Sequence, residues 1–327
     1  MSSLTTTATL PPASNPTTRP GLGATPTQLR VAAELFARGG ARRRFDPAIG
    51  AELRSMLEVG LGPLVADRQP ADSLLMAKRT VAQIHTCGGW LVAERAAPFS
   101  WSASAARGTV AHKAVELSLT LRGRPAPLDL VDLAIERLID STDRGIRTWL
   151  LDAPAGEIAE LRGAAADWLV KFEDTFPTLQ RAWRPRLESG LTVDLCGGRV
   201  VLRGKVDLAL GRADGTTARV LIVDFKTGRA QPVHAEDLRF YALLETIRVG
   251  VPPHRLATFS LDSGTWVAED VDEDVLLVAA RRTLAAAAKL VAIEAGQAPD
   301  LRAGVACRWC PAAADCPAAA DRQGADD

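Results

Sequence analysis

No stretch of this 327-residue chain is apolar for long enough to cross a bilayer, which excludes a helical membrane protein. The first 28 residues are rich in Ser, Thr and Pro and lack the hydrophobic segment of a secretory signal. They read as a disordered lead, and the chain is expected in the cytoplasm, where thiols stay reduced and disulfides do not persist. No Gly-rich phosphate loop with Gly-Lys-Ser/Thr is present, so a fused nucleotide-driven motor is excluded. No internal repeat is evident. Neither sign of charge is in surplus: 39 Lys and Arg balance 39 Asp and Glu, which argues against indiscriminate binding to nucleic acid. A chain of this length, 47% hydrophobic, still suffices for one large or two modest globular domains.

What is present is concentrated in residues 199–226. In VVLRGKVDLAL, Val200, Leu202, Val206, Leu208 and Leu210 fall on one parity while Arg203, Lys205 and Asp207 fall on the other, the pattern of a strand with one core face and one wet face. The next predicted strand, VLIVDFKTG, is continuously apolar from Val220 to Val223, as a central strand covered on both faces would be. Its polar residues come only at the end, where Asp224 and Lys226, two apart, share a face that Phe225 does not. Two carboxylates and a lysine then converge at one sheet edge. Hard oxygen ligands suit Mg²⁺ or Mn²⁺, so Asp207, Asp224 and a backbone carbonyl near Phe225 form a plausible shell, with Lys226 placed to orient a water and stabilise charge on a phosphate. That constellation points to hydrolysis of a phosphodiester.

These residues resemble the PD-(D/E)XK nuclease superfamily, specifically its RecB-like branch, which includes AddB-type nuclease domains and CRISPR-associated RecB-like exonucleases. The resemblance spans roughly residues 80–317. The branch's glycine and histidine in an early helix match Gly108 and His112 of RGTVAHKAVEL; its Gly-x-x-Asp matches Gly204 and Asp207; its Asp-x-Lys matches Asp224 and Lys226. The following helix usually carries Gln-x-x-x-Tyr, and here EDLRFYALL keeps Tyr241 but has Asp237 in place of the glutamine. The resemblance implies catalysis by His112, Asp207, Asp224 and Lys226, a metal held by His112, Asp207 and Asp224, and DNA contacts from Tyr241 and Asp237. On the predicted helix Tyr241 lies opposite the apolar stripe of Phe240, Leu243, Leu244 and Ile247, so its ring is expected in the cleft. Glu188 resembles a glutamate often seen before the motif strand. Arg181, Arg184, Arg186, Arg203, Lys205 and Arg239 are further candidates for phosphate contacts.

Cysteine makes the second constellation. CRWCPAAADC places Cys307, Cys310 and Cys316 close together, and three thiolates can grip one soft centre that wants a fourth ligand, zinc or a 4Fe–4S cluster. The RecB-like resemblance implies the cluster, with Cys87 as the fourth ligand, acting as a staple; zinc is the alternative. Cys196, in a predicted strand, has no partner in this pattern and reads as a buried free thiol.

The expected fold is α/β: a restriction-endonuclease-like mixed central sheet flanked by helices, with an inserted helical lobe and a cysteine-rich C-terminal closure. Residues 29–79 read as a helical N-terminal extension, 80–317 as the nuclease domain with the thiol loop at 307–316, and 318–327 as an acidic tail. Helices are predicted over 80–96, 105–122, 128–150, 155–175, 234–249 and 272–295, the second to fourth of these forming the lobe with Trp149, Trp168 and Phe172 in its core. Strands are predicted near 182–189, 191–196, 199–210, 218–225, 255–261 and 264–269. The leading expectation is a metal-dependent DNA nuclease acting on ends or single strands, with a helicase or another repair or CRISPR protein as partner. Two alternatives stand beside it: a non-catalytic DNA-binding or scaffold protein that retains the fold, and a zinc- or redox-sensing module.

Overall fold

The computed structural model describes residues 24–36, 42–228 and 231–323. Most of the expected lead and the end of the acidic tail lie outside them. The first helix, α1 (Pro26–Phe36), already begins within the segment expected to be the lead. It is followed by α2 (Ile49–Leu61), the short strand β1 (Leu74–Ala77), α3 (Lys78–Thr86) and α4 (Gly88–Ala96). The single helix predicted over 80–96 is interrupted at Cys87, whose backbone is extended.

Next comes a helical unit, residues 103–169, built from α5 (Ala103–Thr120), α6 (Pro127–Ile139), α7 (Arg144–Asp152) and most of α8 (Ala155–Thr175). The helix predicted over 128–150 is broken where Asp143 caps α7, its carboxylate accepting from the N–H groups of Gly145 and Ile146. Arg162 clamps Asp132 with two hydrogen bonds, and the Arg107 guanidinium lies over the Trp168 ring.

The remaining elements form, with residues 24–102, the second unit: β2 (Arg186–Leu195), β3 (Val200–Leu210), β4 (Leu221–Lys226), α9 (Pro232–Val249), β5 (Arg255–Ser260), β6 (Thr265–Asp270), α10 (Glu273–Glu294) and α11 (Pro317–Gln323). The two strands expected between 182 and 196 are one, because Ser189 and Gly190 stay paired with Val206 and Lys205. Cys196 falls in the turn after it, partly buried, with burial pushing its thiol pKa up.

The sheet is mixed and runs β1-β3-β4-β5-β6, with β2 on the other edge of β3. One face is covered by a core to which α2, α9 and α10 contribute, including Leu53, Leu57, Leu243, Leu244, Leu276 and Leu290. On the other, Phe172 and Phe176 stack at 4.8 Å and meet Phe225 and Phe259 edge-on. Phe172 therefore belongs to the sheet's core and not to that of the lobe. The expected helical extension is likewise part of this unit: α2 is in the main core, and β1 is a strand of the sheet.

One feature of the strand order positions the site. Since β2 occupies one edge of β3 from Val200 to Ala209, β1 and β4 must share the other. There β1 pairs in parallel with Val200–Arg203, and β4 pairs antiparallel with Leu208–Leu210. Between these two ladders, Gly204 to Val206 are in neither the β1 nor the β4 register. The result is a notch between the end of β1 and the body of β4.

Candidate active site

Asp207 stands at the lip of this notch. The Phe225 backbone N–H donates to its Oδ2 at 2.7 Å, joining β3 to β4 just past the last ladder pair, Leu208–Val223. Across β3 on the other edge, Glu188 falls opposite Asp207, where the β2 ladder is interrupted and Glu188 adopts a left-handed backbone with φ 48°. Val206 and Ala209, three residues apart, both face the main core, so the two-residue alternation expected along β3 slips beside Asp207. Carboxylate oxygens of Glu188 and Asp207 lie within 4.8 Å of one another, and Lys205 pairs with Glu188.

Asp224 is 2% exposed. A buried carboxylate is costly unless it is paired, and this one is met by two ammonium groups. Lys226 Nζ is 2.7 Å from Oδ2, and Lys78 Nζ, at the start of α3, is 3.4 Å from Oδ1. Asp237, one helical turn before Tyr241 on α9, faces the same lysines at 3.8 and 3.9 Å. Burial works against the charged form of Lys78, but Asp224, Asp237 and Asp207 outweigh it and hold its pKa above the ordinary lysine value. Burial pushes the Asp237 carboxyl up, with Lys78 and Lys226 acting against it. His234, whose Nδ1 accepts from the Gln231 N–H, is held below the usual imidazole range by burial and then by Lys226.

Tyr241 is not an open stacking platform. It is 3% exposed, packed beneath Lys78, whose Nζ lies 5.2 Å from the ring centroid. Gly204 explains the placement: a Cβ there would sit 2.7 Å from Tyr241 Cε1, so only glycine leaves room for the ring against β3. Burial, followed by Asp224 and Asp207, drives the phenol pKa upward. Several cations expected to meet phosphate are committed within the chain. Arg186 pairs with Glu245, and Arg239 with Glu236 and Glu269. His112 lies on α5 in the helical unit, half-buried between Ala111 and Ala114 of its inner side. Lys78 and the notch were missed because β1 is only four residues long and pairs with a strand more than a hundred residues away.

The donor set fits a hard divalent cation. Asp207 accepts from the Phe225 N–H, Asp224 is the preceding residue of β4, and no soft donor is among the groups named.

The thiols gather elsewhere in the same unit. Cys87, 8% exposed, sits between α3 and α4, and its Sγ lies 3.7 Å from the Asp300 carbonyl. Gly88 and Gly89 permit this approach: a Cβ at Gly89 would be 2.4 Å from Leu301 Cδ2, and the Gly89 N–H donates to Asp300 O at 3.2 Å. The crossing brings the C-terminal loop onto Cys87, and Cys87, Cys307, Cys310 and Cys316 line one cavity of about 50 Å³. All are free thiols.

Comparison with known proteins agrees with this architecture. The family model of the PD-(D/E)XK nuclease superfamily matches residues 88–317, and the chain belongs to that superfamily, whose nucleases use divalent metals. No curated protein matches the chain. Among solved structures it is similar to SSO0001, at 12% identity over 82% of this chain and 97% of that one, with a TM-score of 0.31. It is also similar to a candidate exonuclease from Eubacterium rectale, at 12% identity over 72% of this chain and 87% of that one, with a TM-score of 0.42. Among the described residues no helix is long and apolar enough to cross a membrane.

Proposed function

We propose that this chain is a metal-dependent DNA nuclease of the RecB-like branch, acting on DNA ends or single strands in repair, recombination or foreign-DNA processing. The observation that supports the reading is that Asp207 accepts the Phe225 N–H at 2.7 Å, next in the chain to Asp224, with Lys226 fixed on Asp224 at 2.7 Å. Asp207, Asp224 and the Phe225 carbonyl hold Mg²⁺ or Mn²⁺, with His112 as a further ligand on the strength of its place after Gly108. A bound divalent ion supplies Lewis-acid stabilisation of the phosphate and acidifies a water at neutral pH. Lys226, held in one orientation by Asp224, directs its ammonium at the attacking water and at negative charge developing on the phosphoryl oxygens. Asp237 keeps both lysines in place. No side chain of the site has to act as a nucleophile.

In this reading Cys87, Cys307, Cys310 and Cys316 hold a 4Fe–4S cluster that staples the C-terminal loop to the α3–α4 junction. Tetrahedral zinc on the same four thiols is the alternative. DNA is the expected substrate, and a helicase or another repair or CRISPR protein the expected partner.

The test is cleavage of end-labelled single- and double-stranded DNA, with RNA in parallel, in Mg²⁺, Mn²⁺ or EDTA. Metal-dependent DNA cleavage that disappears in Asp224→Ala is expected. DNA binding without hydrolysis under every metal would instead favour a scaffold that retains the fold, and cleavage confined to RNA would reject the substrate. Absorbance of anaerobically purified protein near 400 nm, roughly where iron–sulfur centres absorb, tests the cluster; colourless protein with stoichiometric zinc rejects it.

A further inference from the structure

Lys78 is a charged group of the site that the strand motifs do not account for, and it lies before the segment matched by the family model. It leaves β1 directly into the notch. Its Nζ reaches Asp224 Oδ1 at 3.4 Å and Asp237 Oδ2 at 3.8 Å, over the face of Tyr241. The helix it begins does not explain it. The N-cap of α3, Ala77, offers no side-chain hydrogen bond, and the positive end of a helix disfavours a lysine in its first turn. Nor does Asp224 depend on it for a partner, because Lys226 already engages the other oxygen at 2.7 Å. The Lys78 side chain is 24% exposed and that of Lys226 21%, against 4% for Asp224. The two ammonium groups thus form the solvent-facing cover of a buried carboxylate, one over each oxygen.

Building on the nuclease reading above, we propose that Lys78 is a substrate-binding residue whose ammonium contacts a non-bridging oxygen of the phosphodiester backbone. A strand entering the notch toward Asp207 and Asp224 meets both lysines, and Asp237 and the Tyr241 ring hold the Lys78 ammonium itself at the solvent-facing side of the carboxylate, where an incoming phosphate meets it. Lys226 belongs to the motif and acts at the reacting group. Lys78 adds affinity and register.

The experiment compares cleavage of end-labelled DNA in Mg²⁺ by wild type, Lys78→Met, Asp237→Asn and the double variant, with DNA binding in EDTA measured against salt. Expected is a fall in kcat/KM of about tenfold or more on losing Lys78 in both the wild-type and Asp237→Asn backgrounds, the scale of one charge-assisted hydrogen bond. The slope of log affinity against log salt should also shrink by about 0.7 to 0.9, one phosphate contact. A lysine that only balances buried carboxylates would cost activity in the wild-type background, cost nothing in Asp237→Asn, and leave the salt slope unchanged; that result overturns the proposal. Should Lys78→Met fail to fold, the double variant, which removes one charge of each sign, carries the comparison against Asp237→Asn. Wild-type protein that cleaves no DNA with Mg²⁺ or Mn²⁺ defeats the nuclease reading and this proposal together, whereas full activity in Lys78→Met defeats this proposal alone.

Discussion

The acid–lysine notch and the thiol closure are both assembled from distant parts of the chain, but they are held in opposite ways. In the notch, charged groups meet one another directly: Asp224 and Asp237 face Lys78 and Lys226, and Asp207 is held by the Phe225 N–H. At the closure, four free thiols surround about 50 Å³, and what holds the loop is the crossing of residues 299–301 over Gly88 and Gly89. Charges in contact fix a geometry for chemistry. In the proposed reading the four thiols hold a metal centre on which the closure depends for stability, which separates a site that works from one that holds the chain together.

The largest expected effect separates the two regions most cleanly. Asp224→Ala should lower turnover by about 10³-fold or more, the scale of losing a main electrostatic contributor, while the cooperative melt survives. A melt that collapses would make Asp224 structural and erase the contrast. Cys307→Ser should do the reverse. Absorbance near 400 nm is lost and the melting temperature falls by about 10 °C, equivalent to a few kcal/mol at 2–4 °C each, while cleavage persists at low temperature. Equal loss of activity at all temperatures would show that the closure serves catalysis directly. Gly204→Ala probes the packing beneath the notch, since the added methyl must displace the Tyr241 ring. A destabilisation of about 1–3 kcal/mol by chemical denaturation is expected, with activity lowered because Lys78 rests on that ring.

The smallest effect lies outside both regions. Burial, then Arg42 and Arg255, holds the His254 pKa down to about 4. Between that value and the ordinary 6.5 the unfolded chain binds a proton that the folded chain refuses, so stability should fall as pH drops through this window. His254→Phe should flatten the dependence of the melting temperature on pH from about 6.5 to 4 without altering the response of either region. An unchanged slope would remove His254 as its source.

Much of the fold was legible because its signals are local. The alternation around Val200–Leu210 and the apolar run ending at Asp224 are visible in short windows, and both became β3 and β4. So were α9 and α10, each predicted to within about two residues of its ends. The failures share a cause, which is that the deciding partner is remote. Nothing near Leu74–Ala77 announces a strand, since its mate is Val200–Arg203 in parallel, with no turn to mark the pairing. Tyr241 lies on the side of its helix that the apolar stripe leaves open, yet the missing side chain at Gly204 opens a berth for it. The bend at Cys87 likewise follows from the Asp300 carbonyl more than two hundred residues on. Glu188 read as a strand residue, and its left-handed backbone reflects the slip of register beside Asp207.

The divided edge of β3 has a practical consequence. A fragment cut to the boundaries of the recognised family segment, residues 88–317, would lose β1 and leave the backbone groups on that edge of Val200–Arg203 without a neighbour. A bare hydrogen-bonding row beside an apolar core is a template for joining one molecule to the next. Such a trimmed protein, which also loses the α2 and α3 side chains of the main core, should oligomerise or precipitate.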